Sequence, residues 1–262
     1  MIAACFNTHD EAHIIEQTVR HLLESQGVDH CWVMDWYSTD GTPDLLHEID
    51  GVTVVPPYGP QFYWDQQGTY TSIMADVHAG PAGAEWIICS DADEFWTGTD
   101  GRTVAEAIEE DVPPEGNRLR AAIYQYNDFD HRSTHPYPWV KVCYRWEHGL
   151  VVCAGNHGVA NGRSNFVDDV LLVHELKFQG YEHFKFKMDM KSQVPWSTQT
   201  WIRDDGYGRV EKEFPTGGNI KPADDELEIP ESERLDYWEW MQSASEDVAL
   251  PSQFRPPEWK RP

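Results

Sequence analysis

Basic residues are scarce in this chain of 262 residues: 20 Lys and Arg stand against 45 Asp and Glu, a formal net charge of −25. Sequence-independent binding to nucleic acid needs a basic footprint, so that class is excluded, and a small anionic substrate would need a local cation or a metal to enter. No apolar run approaches the ~20 residues that cross a bilayer, and mean hydropathy is −0.60, so no transmembrane segment is expected. The stretch Met1–Phe6 lacks a basic start and a long apolar core, which predicts no secretory signal and a cytoplasmic protein. The five cysteines, Cys5, Cys31, Cys89, Cys143 and Cys153, form no C-x-x-C pair. Each sits in a short apolar run and reads as a buried, reduced core thiol. Neither H-x-H nor H-E-x-x-H occurs among the 12 histidines, which counts against a metallohydrolase. No internal repeat is evident.

What is present is globular composition, 40% hydrophobic and 25% charged, enough to build a core. The first part alternates strands and helices. Ile2–Phe6, His30–Asp35, Val52–Val55 and Glu85–Ser90 read as short buried strands. Between them, Ile14, Ile15, Val19, Leu22 and Leu23 give an amphipathic helix over residues 10–25. Thr42 and Pro43 open a second helix as cap and first position, and residues 65–79 form a third. This rhythm predicts an α/β fold with a doubly wound, mostly parallel sheet, whose ligands sit at the carboxyl ends of the strands. Asp35 and Asp91 both fall at such ends.

The second part changes character. Asn117–Tyr126 and Val170–Glu175 read as strands, and Val140–Trp146 pairs with Leu150–Ala154 across a Glu147–Gly149 turn. An aromatic, His- and Pro-rich stretch fills Tyr124–Trp139. A helix is expected over Tyr181–Met190, and an acidic tail after Gly217 carries one more amphipathic candidate, Glu231–Ser243. The expected organisation is residues 1–130 as one α/β half, 131–215 as the second half of the same domain, and 216–262 as an appended tail.

Asp91-Ala92-Asp93 is the sharpest chemical signal. Two carboxylates two residues apart at the end of a buried strand can reach one hard cation, Mg2+ or Mn2+, and they repel each other unless a cation or donor network sits there. Such an ion neutralises a diphosphate and stabilises it as a leaving group. The plain alternative is a pair of turn aspartates.

Five segments in order carry a resemblance: DEAHIIEQTVRHLLESQGVDH, VMDWYSTDGT, WIICSDADEF, VKVCYRWEHGLVVCAGNHGV and VLLVHELKFQGYEHFKFKM. Together, over residues 1–190, the chain resembles a family 2-type glycosyltransferase of the GT-A fold, from the branch bearing a DADEF stretch. The resemblance implies transfer of a sugar from a nucleotide-diphosphate donor to an acceptor hydroxyl with a divalent metal, Mn2+ or Mg2+. It implies Asp91 and Asp93 as metal ligands, with His174 and His157 as further candidates. It also implies Asp35 facing the nucleoside, Glu11 near the first strand end, and Lys187 on a phosphate oxygen. Trp36 stands where many relatives have a second acid; it either stacks on a base or fills core. An inverting reaction needs a carboxylate base near the acceptor, and Asp128, Asp130, Glu147 and Glu182 are available, with Asp128, Asp130 and Glu182 preferred. The rival readings are a nucleotidyltransferase, which lacks the expected Gly-rich phosphate loop here, and a non-catalytic binding or structural protein on the same fold.

Overall fold

A computed structural model of the chain describes residues 1–60 and 67–187, the helical backbone of 188–193, and Leu235, Trp238, Glu239, 241–243, Ser245, Glu246, 248–250 and Phe254. The expected second half therefore extends past the described residues at 194–215, as does most of the tail.

Strands β1 (Ile2–Thr8), β2 (His30–Asp35), β3 (Val52–Val55) and β4 (Trp86–Ser90) form the parallel part of the sheet, in the spatial order β3-β2-β1-β4. They alternate with helices α1 (Ile15–Arg20), α2 (Thr42–His47) and α3 (Gln67–Met74); α1 and α3 each end in a π-helical turn, His21–Ser25 and Ala75–Ala79. This is the predicted α/β rhythm, and every connection between these strands carries the chain back across a face of the sheet.

Both faces of the central strands are covered, so β1, β2 and β4 carry continuous apolar runs, such as Ile2–Phe6 and Cys31–Met34, rather than alternating. The pleat still sorts them. Ala4 and Phe6 of β1 and Trp86 and Ile88 of β4 join one core cluster, with Ile14, Ile15, Val19 and Leu22 of the first helix region. Ala3 and Cys5, with Ile87 and Cys89, join the other, against Tyr70 and Met74 of α3. Burying one large apolar side chain contributes about 1.5–3 kcal/mol, so the two clusters dominate the stability of the sheet.

The remaining strands, β9 and β10 excepted, extend the same sheet in mixed orientation. β5 (Glu94–Gly98), β6 (Arg118–Tyr126), β7 (Arg132–Ser133), β8 (Val140–Arg145), β9 (Val151–Val152), β10 (Val159–Ala160), β11 (Phe166–Leu176) and β12 (Ser245–Glu246) follow in chain order, with α4 (Val104–Asp111) and α5 (Tyr181–Gln193). β8 lies antiparallel between β4 and β6. β11 lies parallel to β6 and antiparallel to β5. The sequence reading differs here in three places. β8 does not pair with β9, which instead forms a small ribbon with β10. β5 and α4 were not anticipated, although Thr103 and Glu106 make a capping box at α4. Gly41, at φ 94°, caps α2 in place of Thr42. Cys153, after β9, is exposed; the other four cysteines are buried as expected.

The described residues of the tail pack on this body. Residues 241–243 are helical and Met241 packs with Phe178 and Phe184. β12 pairs with β7. Phe254 stacks on Phe95 at a ring separation of 5.1 Å. No helix among the described residues is long and apolar enough to cross a membrane.

Candidate active site

At the carboxyl end of β4 the chain turns through Asp91-Ala92-Asp93 and enters β5. Two reciprocal bonds close the turn: Asp91 N donates to Glu94 Oε2 at 3.0 Å, and Glu94 N to Asp91 O at 3.3 Å. The turn leaves the Asp91 and Asp93 side chains 32% and 13% exposed, while Glu94 is 1% exposed.

Each aspartate meets a lysine. Lys141, at the start of β8, donates to Asp91 Oδ2 at 2.6 Å and to Gly155 O at 3.0 Å, and lies 2.9 Å from Glu94 Oε1. Burial alone would depress the Lys141 ammonium, but Asp91 and Glu94 outweigh it and hold it above its ordinary value. Burial pushes the Glu94 carboxyl well up, against the pull of Lys141. Lys187, on α5, donates to Asp93 Oδ2 at 2.7 Å and lies 3.9 Å from Glu11 Oε1. Its ammonium is likewise held up by Asp93 and Glu11 against burial.

The other oxygen of Asp91 is held by amides. Gln67 Nε2 donates to Oδ1 at 2.6 Å and Asn156 Nδ2 at 3.2 Å. Asn156 is fully buried in the left-handed region, φ 60°, which Asn adopts more readily than most residues. Its Oδ1 lies 3.1 Å from Thr71 Oγ1, which accepts from Asn7 Nδ2, whose own Oδ1 accepts from Trp36 Nε1. Trp36 is 3% exposed and packs on Tyr70 at 4.5 Å. It fills core and ends a polar chain that leads to Asp91; its buried ring has no free face for a base. Gly68 lets α3 approach this closely: a Cβ there would lie 2.3 Å from Val152 O.

The STDGT turn works as a clamp. Asp10 N donates to Ser38 Oγ, Glu11 N to Thr42 Oγ1, and Ala12 N to Asp40 Oδ2, all at 2.8–3.0 Å. These bonds fix the loop that carries Glu11 to Lys187. Asp35 is spent on the same turn, accepting from Ser38 Oγ at 2.5 Å and Ser38 N at 3.1 Å.

The structure thus brings Glu11, Asp91, Asp93 and Lys187 together. His157 lies beside them: Lys141 and Asp91 both act on its ring, which burial holds below its ordinary pKa. Its Nδ1 faces Val140 O at 2.8 Å, so in the tautomer that donates there Nε2 is left as the acceptor nitrogen.

His174 is not brought in. It pairs with Phe95 across β11 and β5, contacts Tyr126 OH at 3.2 Å, and packs against Phe254. Burial pulls it down to about 4, so it is neutral. A one-residue step along a strand changes face, and the residue on the Glu94 side is Glu175, paired in register with Glu94.

Glu175, absent from the sequence-based set, accepts from Gln125 Nε2 at 2.7 Å and acts electrostatically on Glu94, Lys187 and Tyr137. The HE pair at 174–175 was the available signal; the choice between its two residues depends on strand register. Three preferred base candidates lie elsewhere. Asp128 accepts from Asp130 N, His131 N and His131 Nδ1 in its own turn. Asp130 is exposed. Glu182 is exposed and paired with Lys185 at 2.8 Å.

No family model and no curated protein matches the chain. Among solved structures it is similar to mannosyltransferase PcManGT from Pyrobaculum calidifontis, in complex with GDP-Man and Mn2+. That match has a TM-score of 0.43 and 16% identity, covering 73% of this chain and 61% of that one. Glucosyl-3-phosphoglycerate synthase from Mycobacterium tuberculosis, in complex with Mn2+, UDP and glucosyl-3-phosphoglycerate, gives 0.34 and 18%, covering 47% and 44%. HddC from Yersinia pseudotuberculosis gives 0.33 and 13%, covering 67% and 77%. The chain therefore spans less than two thirds of the length of the first two.

Proposed function

We propose that this chain is a metal-dependent, GT-A-type glycosyltransferase that moves a sugar from a nucleoside-diphosphate donor to an acceptor hydroxyl. One observation carries the reading: Asp91 and Asp93 leave the carboxyl end of a central parallel strand inside a cluster whose carboxylates outnumber its ammoniums. Glu11, Asp91, Asp93, Glu94 and Glu175 act on Lys141 and Lys187. Even with Glu94 protonated, the surplus equals the charge of one divalent cation, and a part-buried surplus favours binding one.

Among the described residues, no group of three or more His, Cys, Asp or Glu is arranged to hold a metal ion. That fits a hard cation on a phosphate substrate, which is commonly held by one or two carboxylates, with substrate oxygens and water completing its shell. Asp91 and Asp93 would hold Mn2+ or Mg2+, and the ion would supply charge to a departing diphosphate.

The chain's own residues do the rest. Gln67, Asn156 and Lys141 fix the Asp91 carboxylate in one orientation. Lys187, oriented by Asp93 and Glu11, offers a second cation to a phosphate oxygen. As the acceptor oxygen bonds to the anomeric carbon, the bond from that carbon to the diphosphate breaks and the hydroxyl proton passes to a carboxylate. We assign that proton to Glu175, which lies in the cluster and is oriented by Gln125, whereas Asp128 is bonded within its own turn, Glu182 is paired with Lys185 and Asp130 is exposed.

The test is thermal stabilisation by UDP, GDP, ADP, CDP and TDP, each with Mn2+, with Mg2+ and with EDTA. A ligand at a hundred times its Kd stabilises by about 2.7 kcal/mol. Metal-dependent stabilisation by one diphosphate that vanishes in Asp91→Asn and Asp93→Asn supports the reading. An undiminished response in both variants refutes the metal assignment, and no response in folded protein refutes the donor class.

A further inference from the structure

The acceptor side of the cluster has a chemistry of its own. Tyr137 and Trp139 are large aromatic residues left 37% and 43% exposed. Both belong to the loop that leads into β8, Tyr137 four and Trp139 two residues ahead of Lys141. Tyr137 N donates to Ile123 O at 2.8 Å, which anchors the loop to β6. The Tyr137 phenol is raised by burial and by Glu175, with Lys141 opposing, so it borders the carboxylate cluster. The Trp139 ring stacks on His157 at 5.7 Å with an interplanar angle of 27°. His157 is itself held by Val140 O and lies near Asp91 and Lys141. The indole is therefore backed on one face, presented to solvent, and fixed relative to the two aspartates.

We propose that Trp139, Tyr137 and Glu175 form an acceptor subsite for a neutral sugar, a claim that rests on the transferase reading above. The C–H face of a pyranose packs on an aromatic ring as other apolar surfaces do, and Trp139 offers such a ring at the rim. Glu175, held by Gln125, accepts a hydroxyl of the same sugar. Charge decides against an anionic acceptor. On this side Glu175 lies with Glu94, burial holds His157 below its ordinary pKa, and Lys141 is already bonded to Asp91 and Gly155 O. A phosphorylated or carboxylated acceptor entering from this side meets repulsion, whereas a polyol does not.

The experiment is a binding titration of the full chain, without nucleotide, by saturation-transfer NMR and indole fluorescence. The probes are neutral manno-, gluco- and galacto-trisaccharides, 3-phosphoglycerate, and a Ser/Thr-rich peptide. The expected result is millimolar binding of at least one trisaccharide, weakened tenfold or more by Trp139→Ala and by Glu175→Ala. Arg102→Ala, at a residue whose ion pairs are with Asp100, Glu110 and Asp111, leaves that binding unchanged. Preference for 3-phosphoglycerate or the peptide overturns the proposal, as does trisaccharide binding indifferent to Trp139→Ala, or none at all. The two readings fail separately. Trisaccharide binding without any nucleotide response keeps the subsite and removes the transferase. Nucleotide binding without trisaccharide binding does the reverse.

Discussion

Replacing Lys141 by Met tests whether the cluster is wired as described. The Lys141 side chain is 3% exposed and compensates Glu94, which is 1% exposed, at 2.9 Å. Met keeps most of the volume and removes the charge. Removing one partner of a buried pair costs roughly 3–5 kcal/mol, because the other charge is left uncompensated. Here Glu94 has an escape: it can take up a proton. Its ordinary value is 4.5, so holding it neutral at pH 7 costs about 3 kcal/mol at ~1.4 kcal/mol per unit. At pH 5 the same cost falls below about 1 kcal/mol. Burial already raises Glu94 in the wild type against the pull of Lys141; without Lys141 it rises further, so the variant's folded state keeps the extra proton to higher pH and relative stability is lost as pH rises. Urea denaturation of wild type and Lys141→Met at pH 5, 6 and 7 measures this directly, and at pH 7 the melting temperature should fall by about 10 °C. Adding Glu94→Gln should restore most of the loss, giving a coupling energy of about 2 kcal/mol or more. A loss under about 1 kcal/mol at pH 7, or one that does not change with pH, would refute the reasoning.

Other perturbations probe separate parts of the molecule. Gly68→Ala places a methyl 2.3 Å from Val152 O and 2.4 Å from Cys153 O, both backbone, so α3 must move away; a loss of about 1–3 kcal/mol in urea is expected, with weaker diphosphate binding as Gln67 leaves Asp91. Arg118 is buried with Nε and Nη2 lacking hydrogen-bond partners among the described residues and Nη1 on Asn117 O. Arg118→Met should therefore be neutral or stabilising, by up to about 4 kcal/mol in chemical denaturation. His174 is drawn from 6.5 to about 4 by burial, so the unfolded state binds the extra proton and stability declines as pH falls from 6.5 towards 4. The wild-type decline includes up to about 3 kcal/mol from this residue, and His174→Gln should flatten it.

The parallel half of the sheet was legible because its signals are local. Short β-rich runs, an amphipathic helix at Ile14–Leu23 and the turn residues Ser38–Pro43 each mark an element with little reference to the rest of the chain. The antiparallel half was less so. β8 and β9 flank a plausible turn, Glu147-His148-Gly149, and local sequence favours a hairpin there. The alternative that wins is non-local: β8 inserts between β4 and β6, where Cys143 and Tyr144 bury completely. β5 was hidden for a related reason, since its partner strand, β11, lies more than 60 residues later.

The site followed the same division. Asp91, Asp93, Glu11 and Lys187 stand on or beside elements that the sequence marks clearly, and they converge. Lys141 carried no signal, because a lysine in an apolar strand reads as a solvent-facing residue until the topology places an aspartate and a glutamate over it. The exchange of His174 for Glu175 shows how sharply register decides chemistry. In β11 the two adjacent residues face opposite sides, one onto Phe254 and the other towards Glu94, and no property of either residue says which is which. What settles it is packing: the imidazole shares a buried aromatic wall with Phe95, Tyr126 and Phe254, an environment that leaves a histidine neutral and in which a carboxylate bears the cost of desolvation. Exchanging the two residues would therefore place a charge in that wall and a neutral ring in the carboxylate cluster. The order His-Glu is fixed by stability on one face and leaves the carboxylate for chemistry on the other.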